Sequence, residues 1–122
     1  MATGSGSQAG ASAQLSLPGP WVTMSPGVRR RVLAVGTAMM VQEVEFQDGA
    51  AVDPHAHPHE QATYVVRGAL RFRLGEREML LEAGQTVVVP GRTVHGCRAV
   101  GPTLVVDVFH PLREEYLAEL RR

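Results

Sequence analysis

The stretch Asp53-Pro54-His55-Ala56-His57-Pro58-His59-Glu60-Gln61 decides how the rest of this sequence is read. Side chains alternate across an extended backbone with a period of two, so His55 and His57 project from the same face. Pro54 and Pro58 flank the pair, restrict the backbone and disfavour helix there. Imidazole is the commonest metal ligand among side chains, and two imidazoles aimed the same way form half of a metal site. An isolated His-x-His is weak evidence, so its weight depends on what surrounds it.

Working outward, short apolar or β-branched runs stand between turn residues. They cover residues 31–35, 38–46, 62–66, 70–74, 79–81, 86–89, 94–99 and 103–109, with Gly, Pro or Asp-Gly at their ends. Short strands at regular spacing predict an all-β sandwich or barrel. Leu70-Arg71-Phe72-Arg73-Leu74 alternates strictly, which puts one face in the core and the other in solvent. Only the C-terminus reads as a short helix. Pro111 opens it, Glu114 and Glu115 suit its first turn, Arg121 and Arg122 suit its last, and Leu112, Tyr116, Leu117 and Leu120 make one apolar stripe.

Before the strands, residues 1–14 are mostly Gly, Ser, Ala, Thr and Gln with little to bury, and read as disordered. Residues 15–27 hold Pro18, Pro20 and Pro26 and read as an extended arm, with Trp21 as an anchor on the barrel or on a partner chain. Residues 28–122 then form a single domain. A chain of 122 residues buries roughly two-thirds of its unfolded surface, enough for one core.

Composition excludes several functions. The formal net charge is zero, without the basic surplus that nucleic-acid phosphates demand. Arg29-Arg30-Arg31 is the one basic run and reads as a solvated strand edge or turn. Cys97 is the single cysteine, so neither an internal disulfide nor a multi-cysteine zinc site forms. No apolar stretch approaches the ~18 residues of a membrane helix, and no secretory pattern opens the chain. The expectation is a cytoplasmic protein with no membrane or nucleic-acid partner.

Two spaced patterns contain the histidines: Gly49-x5-His55-x-His57-x3-Gln61-x6-Gly68, and Gly84-x5-Pro90-x4-His95. Together they resemble the two motifs of the cupin superfamily, a small jelly-roll β-barrel, over about residues 31–109. The resemblance implies one divalent transition metal ion (Ni, Zn, Mn, Fe or Co) held by His55, His57, Gln61 and His95. Gln61 stands where glutamate is usual, Arg92 where glycine is usual, and Ala99 where asparagine is usual. Three imidazoles and an amide are all neutral, so the metal would keep its full charge, which favours Lewis-acid chemistry. His59 and Glu60 are rivals for the fourth ligand position. His59 keeps the period-two phase unless Pro58 breaks it, whereas Glu60 points opposite to Gln61 in a regular strand.

The last strand carries a second cluster. Along residues 103–109, Leu104, Val106 and Val108 read as plain core, while Thr103, Val105, Asp107 and Phe109 form a mixed face suited to a cavity. An acid among valines needs a solvated pocket or a partner, so Asp107 is either a structural pair with Arg113 or catalytic. The spacing Asp107-x-Phe109-x3-Arg113 is similar to that of single-domain cupins that linearise unsaturated uronates in pectin degradation, and the chain also resembles the bacilysin-pathway isomerase cupins. His110 replaces their usual serine. That likeness implies Asp107 as acid/base, Arg113 as a clamp on a substrate carboxylate, and Phe109 as a substrate-packing residue. Cys97 shares a strand face with His95 and reads as apolar filler, Tyr64 as packing between sheets, and His110 as a surface residue.

The implied activity is a metal-dependent isomerase or tautomerase acting on a small oxygenated carbonyl compound such as a sugar acid. Competing readings are a dioxygenase, a polyketide-type cyclase, and a non-catalytic metal or small-molecule binder, since fold does not choose among them. The implied partners are a small-molecule substrate and a second copy of the chain, paired as a homodimer through a sheet edge.

Overall fold

Along Met40–Phe46, buried and half-buried residues alternate without a break: Met40, Gln42, Val44 and Phe46 face inward. This pattern, repeated on successive strands, wraps a barrel around one interior. The computed structural model describes residues 18–121. The strands are β1 (Val22–Ser25), β2 (Val28–Val35), β3 (Met40–Phe46), β4 (Ala51–His55), β5 (Glu60–Leu74), β6 (Arg77–Glu82), β7 (Thr86–Val89) and β8 (His95–His110). A single helical turn, α1 (Glu114–Leu117), runs into a 3-10 turn, Ala118–Arg121. The expectation for residues 1–14 lies outside the described residues.

All pairings are antiparallel, in the order β1-β2-β3-β8-β5-β6, with β4 beside β8 and β7 beside β5. The long strands β5 and β8 serve both halves of the jelly roll. Residues from Gln61 to Tyr64 of β5 pair with β7, and those from Ala69 to Leu74 pair with β6. Likewise Thr103 to Phe109 of β8 pair with β3, and His95 to Arg98 face β4. Val65, Leu70, Phe72, Val89, Ala99 and Val105 are among the residues that fill the core between the halves. Each fully buried Val, Leu or Phe contributes about 1.5–3 kcal/mol.

Several expectations change here. Residues 62–66 and 70–74 are one strand, and so are 94–99 and 103–109. Gly68, at φ +86°, marks a register shift between β5 and β8 rather than a chain reversal. A Cβ there would lie 2.4 Å from the Pro102 carbonyl oxygen. The expected arm is partly a strand, because β1 pairs with β2. Trp21 is anchored on this chain itself, with the guanidinium groups of Arg29 and Arg31 4.1 and 4.5 Å from its ring centroid. Arg30 points inward instead of to solvent and pairs with Glu119. Leu104, Val106 and Val108 are half-buried on the outer face, and Tyr64 is 44% exposed rather than packed between sheets. Alternation alone separates two faces of a strand without naming which is inside; the valine-rich outer face made the opposite choice plausible. The helix is a single α-turn, with Tyr116 buried and Leu112, Leu117 and Leu120 packed beside it.

Candidate metal centre and adjoining pocket

Strand register assembles the site. His55 at the end of β4 stands directly opposite His95 at the start of β8. Their close approach depends on Gly96, where a Cβ would lie 2.9 Å from the Pro54 nitrogen and the Val52 carbonyl oxygen. His57 follows in the β4–β5 loop, whose His57 carbonyl accepts from the Arg92 N–H at 2.7 Å. Arg92, in the position where glycine is usual, keeps the positive φ that glycine favours, at +67°. The donor atoms of His55, His57 and His95 all lie within 4.8 Å of one another. His57 and His95 are buried and His55 is exposed at the mouth.

Each of the three rings is oriented in the same way. Nδ1 of His55, His57 and His95 lies 3.0, 3.1 and 2.8 Å from the carbonyl oxygens of Asp53, His59 and Thr93 respectively. A carbonyl only accepts, so each Nδ1 carries the hydrogen and each Nε2 keeps its lone pair. Behind the rings, cross-strand register puts Gln42, Asp107 and Thr63 in one row over β3, β8 and β5. Gln61 Nε2 donates to Thr63 Oγ1 at 2.9 Å, and Thr63 Oγ1 donates to Asp107 Oδ1 at 2.6 Å. Gln42 Nε2 donates to the other Asp107 oxygen, Oδ2, at 3.0 Å. His55, His95, Gln61, Gln42, Thr63 and Asp107 line one cavity of about 50 Å³ together with Cys97, Phe109, Arg113 and Tyr116.

The cupin domain family matches residues 42–109, more than half of the chain. This chain belongs to the cupin family. It is similar to the pectin degradation protein KdgF of Dickeya dadantii, 26% identical over 100 residues that cover 80% of this chain and 91% of the relative. Among solved structures it is similar to KdgF from a Halomonas species, with 37% identity, 79% of this chain and 89% of that one covered, and a TM-score of 0.75. An RmlC-like cupin from Shewanella frigidimarina matches at 28% identity over 80% of this chain and 88% of that one, with a TM-score of 0.76.

The donor set of this cupin fits a metal ion on two grounds. His95 Nε2 is buried with no hydrogen-bond partner. His57 Nε2 and Gln61 Oε1 lie 3.0 Å apart, two acceptors with no hydrogen between them once Nδ1 holds the imidazole proton. A cation shared by both removes that conflict. His57 remains neutral down to about pH 4, because burial penalises its charged form and the Arg113 guanidinium and His95 add to that. Burial likewise lowers His95, against a raising effect of its bond to Thr93.

Of the residues singled out from the sequence, His55, His57 and His95 cluster with donor atoms that could hold one ion, and Gln61 Oε1 sits against His57 Nε2. His59 lies outside the cluster of donor atoms and faces Phe109 edge-on, with ring centroids 6.5 Å apart; Glu60 points to solvent. Asp107 pairs with Thr63 and Gln42, not with Arg113, which pairs with Glu115. Arg113 instead sits over the Phe109 and Tyr116 rings, 5.1 and 4.5 Å from their centroids. Burial pushes Asp107 above the usual carboxylate range, opposed by the Thr63 and Gln42 hydrogen bonds and by Arg113. Burial, then the nearby Asp107 charge, pushes the Cys97 thiol up to about 12, so it stays protonated as a packing group. His110 is exposed. Sequence reading passed over Gln42 and Thr63. The available signal was a polar residue in the inward phase of an otherwise apolar strand, as Gln42 is between Met40 and Val44.

Proposed function

We propose that this cupin is a metal-dependent isomerase or tautomerase acting on a small oxygenated carbonyl compound, with an unsaturated sugar acid as the candidate substrate. The observation that carries the reading is the hydrogen-bonded series Gln61–Thr63–Asp107, which ties a buried carboxyl to the metal-ligand cluster inside one cavity. His55, His57, His95 and Gln61 would hold one divalent transition metal ion. Such an ion acts as a Lewis acid on a substrate oxygen, and four neutral protein ligands leave its charge undiminished.

Asp107 does the proton work. Burial favours its neutral form while two donors favour its anion, so it is poised to take a proton from one substrate atom and return it to another. That transfer leaves atoms and electrons unchanged overall, as isomerisation requires. Arg113 offers a planar guanidinium to a substrate carboxylate in exchange for Glu115, whose side chain is 54% exposed. Phe109, 1% exposed, gives the carbon face of the substrate a rigid apolar wall. A water needs about 10–15 Å³ of such space, so a cavity of about 50 Å³ admits the reacting end of a sugar acid and leaves the rest at the mouth. The likeness to proteins named for pectin degradation supports an acidic sugar.

The test is turnover of a 4,5-unsaturated galacturonate by metal-loaded protein, run both in air with oxygen monitored and under anaerobic conditions. Isomerised product is expected without oxygen consumption, and Asp107→Asn should slow its formation by about 10²-fold or more. Turnover unchanged in Asp107→Asn removes the acid/base role, and oxygen uptake coupled to turnover favours the dioxygenase reading. Metal analysis completes the test: bound metal should be lost in His95→Ala.

A further inference from the structure

Gln42 enters the cavity from β3 with 1% of its surface exposed, among the largest side chains that are fully buried. Its Nε2 donates to Asp107 Oδ2, and because a carboxylate only accepts, the amide is turned with Oε1 away from Asp107. That Oε1 is buried and has no hydrogen-bond partner. Leaving an acceptor desolvated and unpaired destabilises a fold. The other inward residues of this strand, Met40, Val44 and Phe46, carry no such group. An apolar side chain would pack at position 42 without the unpaired acceptor. The orphan oxygen therefore points to a donor that arrives from outside the protein.

We propose that Gln42 is a specificity-determining residue: its Oε1 accepts a hydrogen bond from a hydroxyl of the bound substrate while its Nε2 holds Asp107. This deepens the function proposed above and rests on it. An amide oxygen repels a carboxylate or carbonyl oxygen, so the group it meets must carry hydrogen. Asp107 and Gln42 are direct cross-strand neighbours, so that hydroxyl lies close to the atoms between which Asp107 moves a proton. The substrate is thereby narrowed from carbonyl acids in general to those hydroxylated beside the reacting carbon. A deoxy analogue would leave Oε1 unpaired again and be rejected.

The experiment uses metal-loaded full-length protein with three probes: a 4,5-unsaturated galacturonate and its 2-deoxy and 3-deoxy analogues. Steady-state turnover and calorimetric binding are measured for each. The wild type should favour the parent over one deoxy analogue by about tenfold or more in kcat/KM. Gln42→Leu should bring that ratio to near one; Gln42→Met gives the same readout should Gln42→Leu not fold. Losing the hold on Asp107 slows both substrates together, so the ratio separates substrate recognition from mere positioning. A wild-type ratio near one, or a ratio unchanged in the variants, overturns the assignment of Gln42 while leaving the isomerase reading intact. Wild type that neither binds nor converts any of the three probes overturns both.

Discussion

At His57 burial lowers the proton affinity of the ring. The ring sits 8% exposed among His55, His95 and Gln61, with the Arg113 charge near enough to oppose protonation. Its proton affinity is lowered from 6.5 to about 4 on folding. Between those values the unfolded chain binds a proton that the folded chain does not, so stability rises with pH there and is lost on acidification. The metal-free protein should lose up to about 3 kcal/mol through His57 alone as pH falls from 6.5 to about 4. His59 and His95 act with the same sign, whereas Asp107, raised by burial, stabilises at low pH and loses that contribution as pH rises through its folded value. Chemical denaturation of wild type and His57→Gln over that range checks this; a wild-type slope no steeper than the variant's refutes it. His55-Ala56-His57 announced the pair because period-two geometry is local. The orientation of Gln61 depends on Thr63 and Asp107, and the β5–β8 register that aligns those two is invisible along the chain.

Among the elements, the C-terminal turn shows how few contacts hold a pocket wall. α1 is too short to be stable alone, since an isolated helix needs about 12–15 residues even to be marginal. It is held through Tyr116 on Phe109, with ring centroids 6.2 Å apart, and by the buried pair of Glu119 with Arg30, whose guanidinium lies 3.6 Å from the Tyr116 ring centroid. Removing one partner of a buried ion pair leaves the other charge uncompensated. Glu119→Ala should therefore lower stability by about 3 kcal/mol, measured by thermal unfolding. A loss of under about 0.5 kcal/mol would mean that solvent already screens Arg30. The apolar stripe of this segment was legible because helical spacing is written in four leucine and tyrosine positions. Its latch was not, because Arg30 and Glu119 are 89 residues apart. Gly68 and Gly101 misread as strand ends for a related reason. Glycine at positive φ serves a turn and a bulge equally well, and only the pairing with a neighbouring strand separates the two.

For the whole molecule, the outer face of β3, β8, β5 and β7 stands out. Ala62 is the neighbour of both Val88 and Val108, Val41 pairs with Val108, and Tyr64 pairs with Val106, making one continuous apolar surface. Val88, Tyr64 and Val66 are 53%, 44% and 40% exposed. At its β2–β3 border Arg31 is neutralised by Glu43 and Arg29 by Glu45. An exposed apolar face with Glu60 and Arg67 at its ends suits a second copy stacked antiparallel upon it, each charge set meeting its opposite, so we expect a homodimer through the sheet face rather than the edge. Light scattering should give twice the chain mass for wild type and the chain mass for Val88→Lys; a monomeric wild type refutes this. No helix among the described residues is long and apolar enough to cross a membrane. The sequence by itself determined that the chain is all-β and that His55 and His57 share a face, because alternation is a property of neighbouring residues; that the chain is a cupin in which His95 joins the pair is what the resemblance of its two motifs implied. Only the tertiary structure decided that Gln42 and Thr63 grip Asp107, that His59 stands outside the cluster of His55, His57 and His95, and which face of β8 is inside. Those outcomes depend on strand register and burial, which arise when segments far apart in the chain pack together.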